Sequence, residues 1–466
     1  MGASPPLSAL ALAVACSRPN IALPESEDST PPSPDSEARD SGTEWVDSPG
    51  FDQVPVLMIH TGGRPIGSER RIDAQMEVIL DHDGTLQDLE RADAVWEGPI
   101  AIVAHGSSSL GYPKLNYRIE MRDAAGADFD YPLLGLPAES DWVLHGPYCD
   151  KTLLRNALAF DLGRQVASGT GEYQPHTAFL ELFIEGDYRG VYVLMDRVKR
   201  ARTRLDLPRP AASAAEGDLS GGYILRLDYD RNPYWTTARG TLIGWDDPDQ
   251  DEITPDQIQY LRSWFDAFEA MLSAPGWQDP DSGYPAWIDV GSFVDHYIVN
   301  ELAHNIDAYR LSAYLYKDAD ADGGRLHAGP LWDFDRAWGN VNYCDCYNTF
   351  GWTIEDLTRA GYGYEYPFWW GTLLTDPAFQ DRLRCRWEEL RRGVLADDVL
   401  IATFESLAAE VQEVEPRDDA RWQTIGTWVD PNWFVGETWR EELDWLETWQ
   451  VARSAWLDAN MPGTCG

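Results

Sequence analysis

The sequence predicts an α+β protein with a strand-rich first half and a mainly helical second half, and three observations predict it. Up to about residue 208, apolar runs of strand length recur between turn residues. Beyond it, apolar residues return at helical spacing. With 466 residues, 44% of them hydrophobic and 21 of them Trp, the chain has the apolar surface for a large core and the length of two or three units.

In the first half the expected strands are 54–59, 100–104, 117–121, 179–184 and 191–194, with Glu185-Gly186-Asp187 as the turn between the last two. One helix interrupts them, with Asp150 as its N-cap, Leu153, Leu154, Leu158 and Leu162 on its apolar face, and Gly163 at its end. The second half opens with a strand, Gly222-Tyr-Ile-Leu-Arg-Leu-Asp228, and continues with helices over 258–272 and 293–303. Helical spacing then covers 367–394 and 439–460, the latter through Trp439, Leu443, Leu446, Trp449 and Trp456. The expected divisions are a signal at 1–16, a linker at 17–50, a strand-rich unit at 51–208 and a helical unit at 209–466.

The first 15 residues are small and apolar and end Leu12-Ala-Val-Ala15 before Cys16, the pattern of an export signal with a lipoprotein-type cleavage site. Leu12 stands one place further from the cysteine than that pattern usually has it, and no basic residue precedes Arg18. The expectation is a cell-envelope lipoprotein or secreted protein, touching a membrane only through a lipid on Cys16. Residues 17–50 are dense in Ser, Pro, Asp and Glu, which favours a tether over a fold. Of the other cysteines, Cys344-Asp-Cys346 has the look of a ligand pair. No second pair follows at zinc spacing, so disulfides are the expected fate.

A formal net charge of −41 excludes nucleic-acid binding through a general basic surface and repels anionic membranes. The only dense basic run is Arg197, Lys199, Arg200, Arg202 and Arg204, read as neutralising the chain's own acids or facing an acidic partner. Four of the 37 basic residues are lysine, and all four fall in motif-bearing segments.

The most informative stretch is Asn305-Ile-Asp307-Ala-Tyr-Arg-Leu-Ser312-Ala-Tyr-Leu-Tyr-Lys317, followed by Pro330-Leu-Trp332-Asp333-Phe334-Asp335. Two strands joined by a Gly-containing turn bring the two acidic segments to one mouth. Phosphoryl transfer needs such a pair: one carboxylate to orient or deprotonate the hydroxyl, another to hold Mg²⁺ on the phosphates. The order resembles the catalytic-loop Asp and the Asp-Phe-Gly motif of protein kinases. At the offset where kinases place the Asn that binds the second metal, this chain has Ser312. Between the strands, Asp318-Ala-Asp320-Ala-Asp322-Gly323 opens like a calcium loop, but Gly329 stands where the bidentate Glu belongs, so an acidic hairpin tip is expected.

Together with these, Ala104-His-Gly106-Ser-Ser-Ser109, Pro113-Lys114-Leu-Asn-Tyr-Arg118, Asp141 through Asn156, Gly186 through Asp196 and Arg453-Ser-Ala-Trp456 resemble, in order, the blocks of the CotH kinase family. The resemblance runs from about residue 54 to 461. It implies a divergent protein-kinase-like fold that binds ATP with Mg²⁺ or Mn²⁺ and phosphorylates Ser or Thr of secreted or surface proteins. It implies Asp307 as the catalytic carboxylate, Asp333 as metal ligand with Ser312 and Asp335 beside it, and Asp196 at the position of an acid, usually Glu. Lys114 and Arg118 are the expected phosphate contacts, supported by Arg155, and Tyr148 and Trp332 the expected adenine neighbours. The alternative is a non-catalytic relative acting as adhesin or scaffold, favoured by Ser312, Asp196 and the scarcity of ATP outside cells. A glycoside hydrolase with paired carboxylates suits the Trp-rich composition but lacks an ordered signature.

Overall fold

The first half of the chain closes on itself through the pairing of its first and sixth strands. The computed structural model describes residues 54–80, 89, 93–228, 234–358 and 365–466. Its first seven strands are β1 Val56–His60, β2 Ile72–Ile79, β3 Trp96–His105, β4 Asn116–Met121, β5 Asp141–His145, β6 Thr177–Ile184 and β7 Asp187–Asp196. They form a closed barrel in the order β1-β2-β3-β4-β5-β7-β6, antiparallel except where β6 meets β1. Closure leaves no exposed edge to template aggregation. Alternate residues fill the interior: Ile100, Ile102 and Ala104 from β3, Tyr117, Ile119 and Met121 from β4, Leu180, Leu182 and Ile184 from β6.

Strands β5 to β7 are covered on their outer face as well. Val143, Phe179, Val191, Val193 and Met195 join a larger core with helix α1 Arg155–Ala167. Burial on both faces explains why these strands read as continuous apolar runs. The α1 helix starts later than expected. Asp150 makes a turn instead of a cap, accepting from Thr152 N at 3.1 Å and Arg155 N at 2.8 Å, and Leu153 sits at φ 68°, outside the helical region. Gly163 lies inside the helix, where a Cβ would stand 2.6 Å from Leu331 Cδ1; the glycine serves close packing and not helix termination.

The second half builds a five-stranded antiparallel sheet from β8 Tyr223–Leu227, β9 Tyr234–Thr236, β10 Leu242–Asp247, β11 Ala313–Lys317 and β12 Leu326–Ala328, in the order β12-β11-β8-β10-β9. The helices of this half are α2 Pro255–Leu272, α3 Val290–Ala303, which packs on β12, α4 Thr353–Thr358, α5 Phe368–Leu373, α6 Pro377–Arg391, α7 Asp397–Val411, α8 Glu415–Trp422, which packs on β7 of the barrel, and α9 Trp439–Asn460. The molecule is α+β. The pattern over 367–394 divides at Asp376-Pro377, because Asp376 caps α6 by accepting from Ala378 N and proline suits the first helical turn. The calcium-like segment is an acidic tip with a short turn at Asp320–Asp322.

Cys385 and Cys465 form a disulfide, whereas Cys149, Cys344 and Cys346 are free and buried, so the expectation of disulfides holds for one pair. The signal, Cys16 and the linker lie outside the described residues. Among the described residues no helix is long and apolar enough to cross a membrane.

Candidate active site

The β11–β12 hairpin brings two acidic segments to one mouth. Past α3, left-handed His304 (φ 47°) turns the chain, and the Asp307 carbonyl accepts from the amides of Arg310 and Leu311. Ser312 (φ 49°) then leads into β11, and Ala328 of β12 pairs with Leu315. Ser312 Oγ donates to Asp333 Oδ2 at 2.9 Å, which ties the two segments together. Asp333 is itself left-handed (φ 64°). Such backbone at a non-glycine residue costs about 1–3 kcal/mol and concentrates at functional sites. From α1, Asn156 holds the turn: its Oδ1 accepts from Phe334 N at 2.7 Å, and its Nδ2 meets His145 Nε2 at 3.0 Å.

Asp307, Ser312, Asp333 and Asp335 line one cleft of about 420 Å³, between the outer face of the barrel and the second sheet. That is the size of a small-molecule site, roughly 300–1,000 Å³. On the barrel side Arg118, Val143 and Met195 form one lateral row across β4, β5 and β7. Arg197, Arg226, Trp245, Trp332, the Ser107-Ser-Ser109 loop and the acids Asp228, Asp246 and Asp249 also line it. The loop's tightness needs Gly106 (φ 130°), where a Cβ would meet Ser109 Oγ at 2.1 Å.

Desolvation raises Asp307, Asp335 and Asp333, the last to about 6, with Asp335 adding to that rise and the Ser312 hydroxyl opposing it. Asp307 is paired with Arg310 at 2.9 Å. On the opposite wall, Arg197 pairs with Asp141 and Arg226 with Asp246, each at 3.0 Å. Among the described residues Arg118 forms no ion pair. It contacts His105 Nε2 at 3.4 Å, its Nε makes no hydrogen bond among those residues, and burial together with Arg197 and Arg226 lowers its pKa against the opposing pull of Asp246. A guanidinium crowded by its own kind and short of acceptors is a place for an anion.

The oxygen-rich acidic wall fits a hard divalent ion. Asp333, Asp335 and Ser312 are the groups to hold it, and a dication there offsets the cost of desolvating neighbouring carboxylates.

Four expected site residues do not line this cleft. Lys114 is buried and paired with Asp418 at 2.6 Å, which occupies the charge expected for phosphate. Arg155 is buried in an ion pair with Asp150 at 2.5 Å. Asp196 is buried among Arg204 at 2.8 Å, Tyr173 at 2.9 Å and His176 at 2.7 Å. Tyr148 packs on Tyr112 and edge-on to Trp422, so it does not sandwich a base with Trp332, which packs on Phe160. The sequence reading gave no site role to His105, Asn156, Arg226, Asp246 or Arg336. A signal existed for Arg226: it is the one charge inside the apolar strand Tyr223–Leu227. The basic run is absorbed internally, Lys199 by Glu139 and Asp141, Arg200 by Asp247 and Arg204 by Asp196.

A family model described as CotH kinase protein matches residues 102–457, which include every residue named in the cleft. The chain belongs to the CotH kinase family. No curated protein matches it. Membership implies, in general terms, ATP, a divalent metal and a protein substrate. In this CotH chain Lys114 is buried against Asp418, away from the cleft. Lys114→Met is expected to lower stability by about 3–5 kcal/mol, because it strands the buried Asp418 carboxylate. Nucleotide affinity of the remaining folded protein should be unchanged, as thermal denaturation beside ATP titration would read.

Proposed function

We propose that this chain is an exported atypical protein kinase that transfers the γ-phosphoryl group of ATP to Ser or Thr hydroxyls of secreted or surface proteins. The observation that supports it is the Ser312–Asp333 bond beside Asp307 in one cleft, with Arg118 on the facing wall. Export rests on the Cys16 pattern alone. The kinase-like fold is likewise a proposal, supported by family membership and by the order of catalytic segments.

In this reading Asp307, held by Arg310, orients the substrate hydroxyl and accepts its proton as the oxygen attacks. The new O–Pγ bond forms while the bond from Pγ to the β-bridging oxygen breaks, and ADP leaves. Arg118 binds phosphate oxygens, and its desolvation strengthens that contact. Val143, Met195, Trp245 and Trp332 supply the apolar side for the base. The Ser107-Ser-Ser109 loop, held from below by Arg336 Nη2 on Ser108 Oγ at 3.2 Å, covers the phosphates. Asp333, Asp335 and Ser312 would hold a divalent ion, which would supply positive charge beside the phosphoryl oxygens. Incubation with labelled ATP and Mg²⁺ or Mn²⁺, beside Asp307→Ala, tests this. Label that vanishes in the variant supports transfer; none with any metal points to the adhesin or scaffold reading.

Ser312 occupies a left-handed position that asparagine tolerates better than most residues. Ser312→Asn is therefore expected to fold normally and to tighten Mn²⁺ binding by about tenfold, since a carboxamide oxygen is a better ligand than a hydroxyl. Unchanged or weaker Mn²⁺ binding in a calorimetric titration counts against Ser312 as a ligand.

The metal also competes with a proton. Asp333 is raised to about 6, so the metal-free fold loses stability as pH climbs from the ordinary carboxylate range through that value. Below it the protonated acid is a poor ligand. The rise in Tm given by Mn²⁺ should be large at about pH 7.5 and nearly gone at about pH 5. A shift independent of pH would place the metal elsewhere.

A further inference from the structure

We propose that His304, Cys346 and Asp356 form a second metal site, for a zinc-class divalent ion, buried behind the catalytic segment. One ligand atom from each lies within 4.8 Å of the others, and all three residues are buried. The set joins an imidazole nitrogen, a sulfur and a carboxylate oxygen. That mixture suits Zn²⁺ and differs from the all-oxygen wall of the cleft.

The imidazole is the decisive group. His304 Nδ1 lies 2.9 Å from the Asn348 carbonyl oxygen, and Nε2 lies 3.0 Å from Asp356 Oδ2. Both neighbours are acceptors, whereas a neutral imidazole has one N–H. With Nδ1–H donated to the carbonyl, the Nε2 lone pair faces a carboxylate oxygen, and a cation between them turns that opposition into ligation. Metal-bound histidines are oriented in this way, with the other ring nitrogen fixed by a backbone or carboxylate acceptor. Cys346 is fully buried and is not in a disulfide. A buried thiol and a buried carboxylate beside one imidazole are all served by one dication.

The site has a structural consequence. His304 ends α3 and precedes Asp307 by three residues, while Asp356 lies in α4. Arg453 Nη1 of α9 also holds the intervening loop, donating to the Gly351 carbonyl at 2.7 Å. A metal here would brace the Asp307 segment from behind, whatever reaction the cleft performs.

The test uses the full reduced chain, stripped with chelator, carrying Asp333→Asn so that the cleft does not compete. Zn²⁺ is added, excess removed and bound metal measured by emission spectrometry. About one equivalent per chain is expected, lost in Cys346→Ser and in His304→Ala. No stoichiometric zinc, or zinc retained in both variants, overturns the proposal. So does a Cys344–Cys346 disulfide found by mass spectrometry in the unreduced protein. Should the variants fail to fold, Co²⁺ added to the reduced natural chain decides: a thiolate-to-cobalt absorption band supports the site, and its absence refutes it.

Discussion

Asp333→Asn is expected to lower metal-dependent phosphoryl transfer by about 10³-fold or more, roughly 4 kcal/mol of barrier, while leaving the protein folded. Asparagine keeps the size and accepts the Ser312 hydroxyl but has no charge for the metal. The same substitution should stabilise the metal-free protein at neutral pH. The carboxyl of Asp333 is raised to about 6 by desolvation and by Asp335, so above that pH the fold carries an ionised, desolvated acid that destabilises it. Removing the charge returns at most about 3 kcal/mol by linkage, less in practice because the residue is half-buried. The combination of lost activity and raised Tm separates a metal ligand from a residue that holds the fold. Activity lost together with Tm would place Asp333 in the second class.

A stability effect as large as that of Lys114→Met is expected at Arg453. This guanidinium is fully buried in α9, donates from Nε to the Glu301 carbonyl at 2.8 Å and pairs with Glu301 Oε2 at 3.1 Å. Glu301 in turn accepts from Tyr309 Oη at 2.9 Å and Thr353 N at 3.0 Å, so one pair joins α3, the Asp307 segment, the start of α4 and α9. Arg453→Ala should destabilise by about 3–5 kcal/mol, since it leaves the Glu301 carboxylate buried without its cation. Adding Glu301→Gln should recover part of that loss, because the stranded charge is then gone. Denaturant unfolding of the single and double variants checks both statements; a single-variant loss below about 1 kcal/mol would contradict the account.

What could be read from the sequence was local. Asp307 and Asp333 were placed together because a short hairpin has one mouth, and Arg118 sat on a strand whose alternation put it opposite the inward Tyr117 and Ile119. What failed depended on distant partners. Lys114 resembled a free phosphate contact until Asp418 of α8 neutralised it, and nothing near residue 114 announces that carboxylate. Arg155 and Asp196 failed in the same way, since each is spent on a buried partner. Strand β2 escaped because its Asp, Gln and Glu alternate outward from Ala74, Met76 and Val78, a pattern less conspicuous than the runs of β6 and β7. Barrel closure was not readable at all: it depends on β6 meeting β1 across most of the first half.

The central claim is that Asp333, Asp335 and Ser312 hold a divalent ion on the phosphates of a nucleotide whose charge reaches Arg118. Crystals grown with Mn²⁺ and a non-hydrolysable ATP analogue, with data collected at the manganese edge, test it directly. The account predicts an anomalous peak coordinated by Asp333 and Asp335, with the terminal phosphate between that peak and Arg118. Manganese or nucleotide bound away from this cleft, with Asp333 and Arg118 untouched, would contradict it.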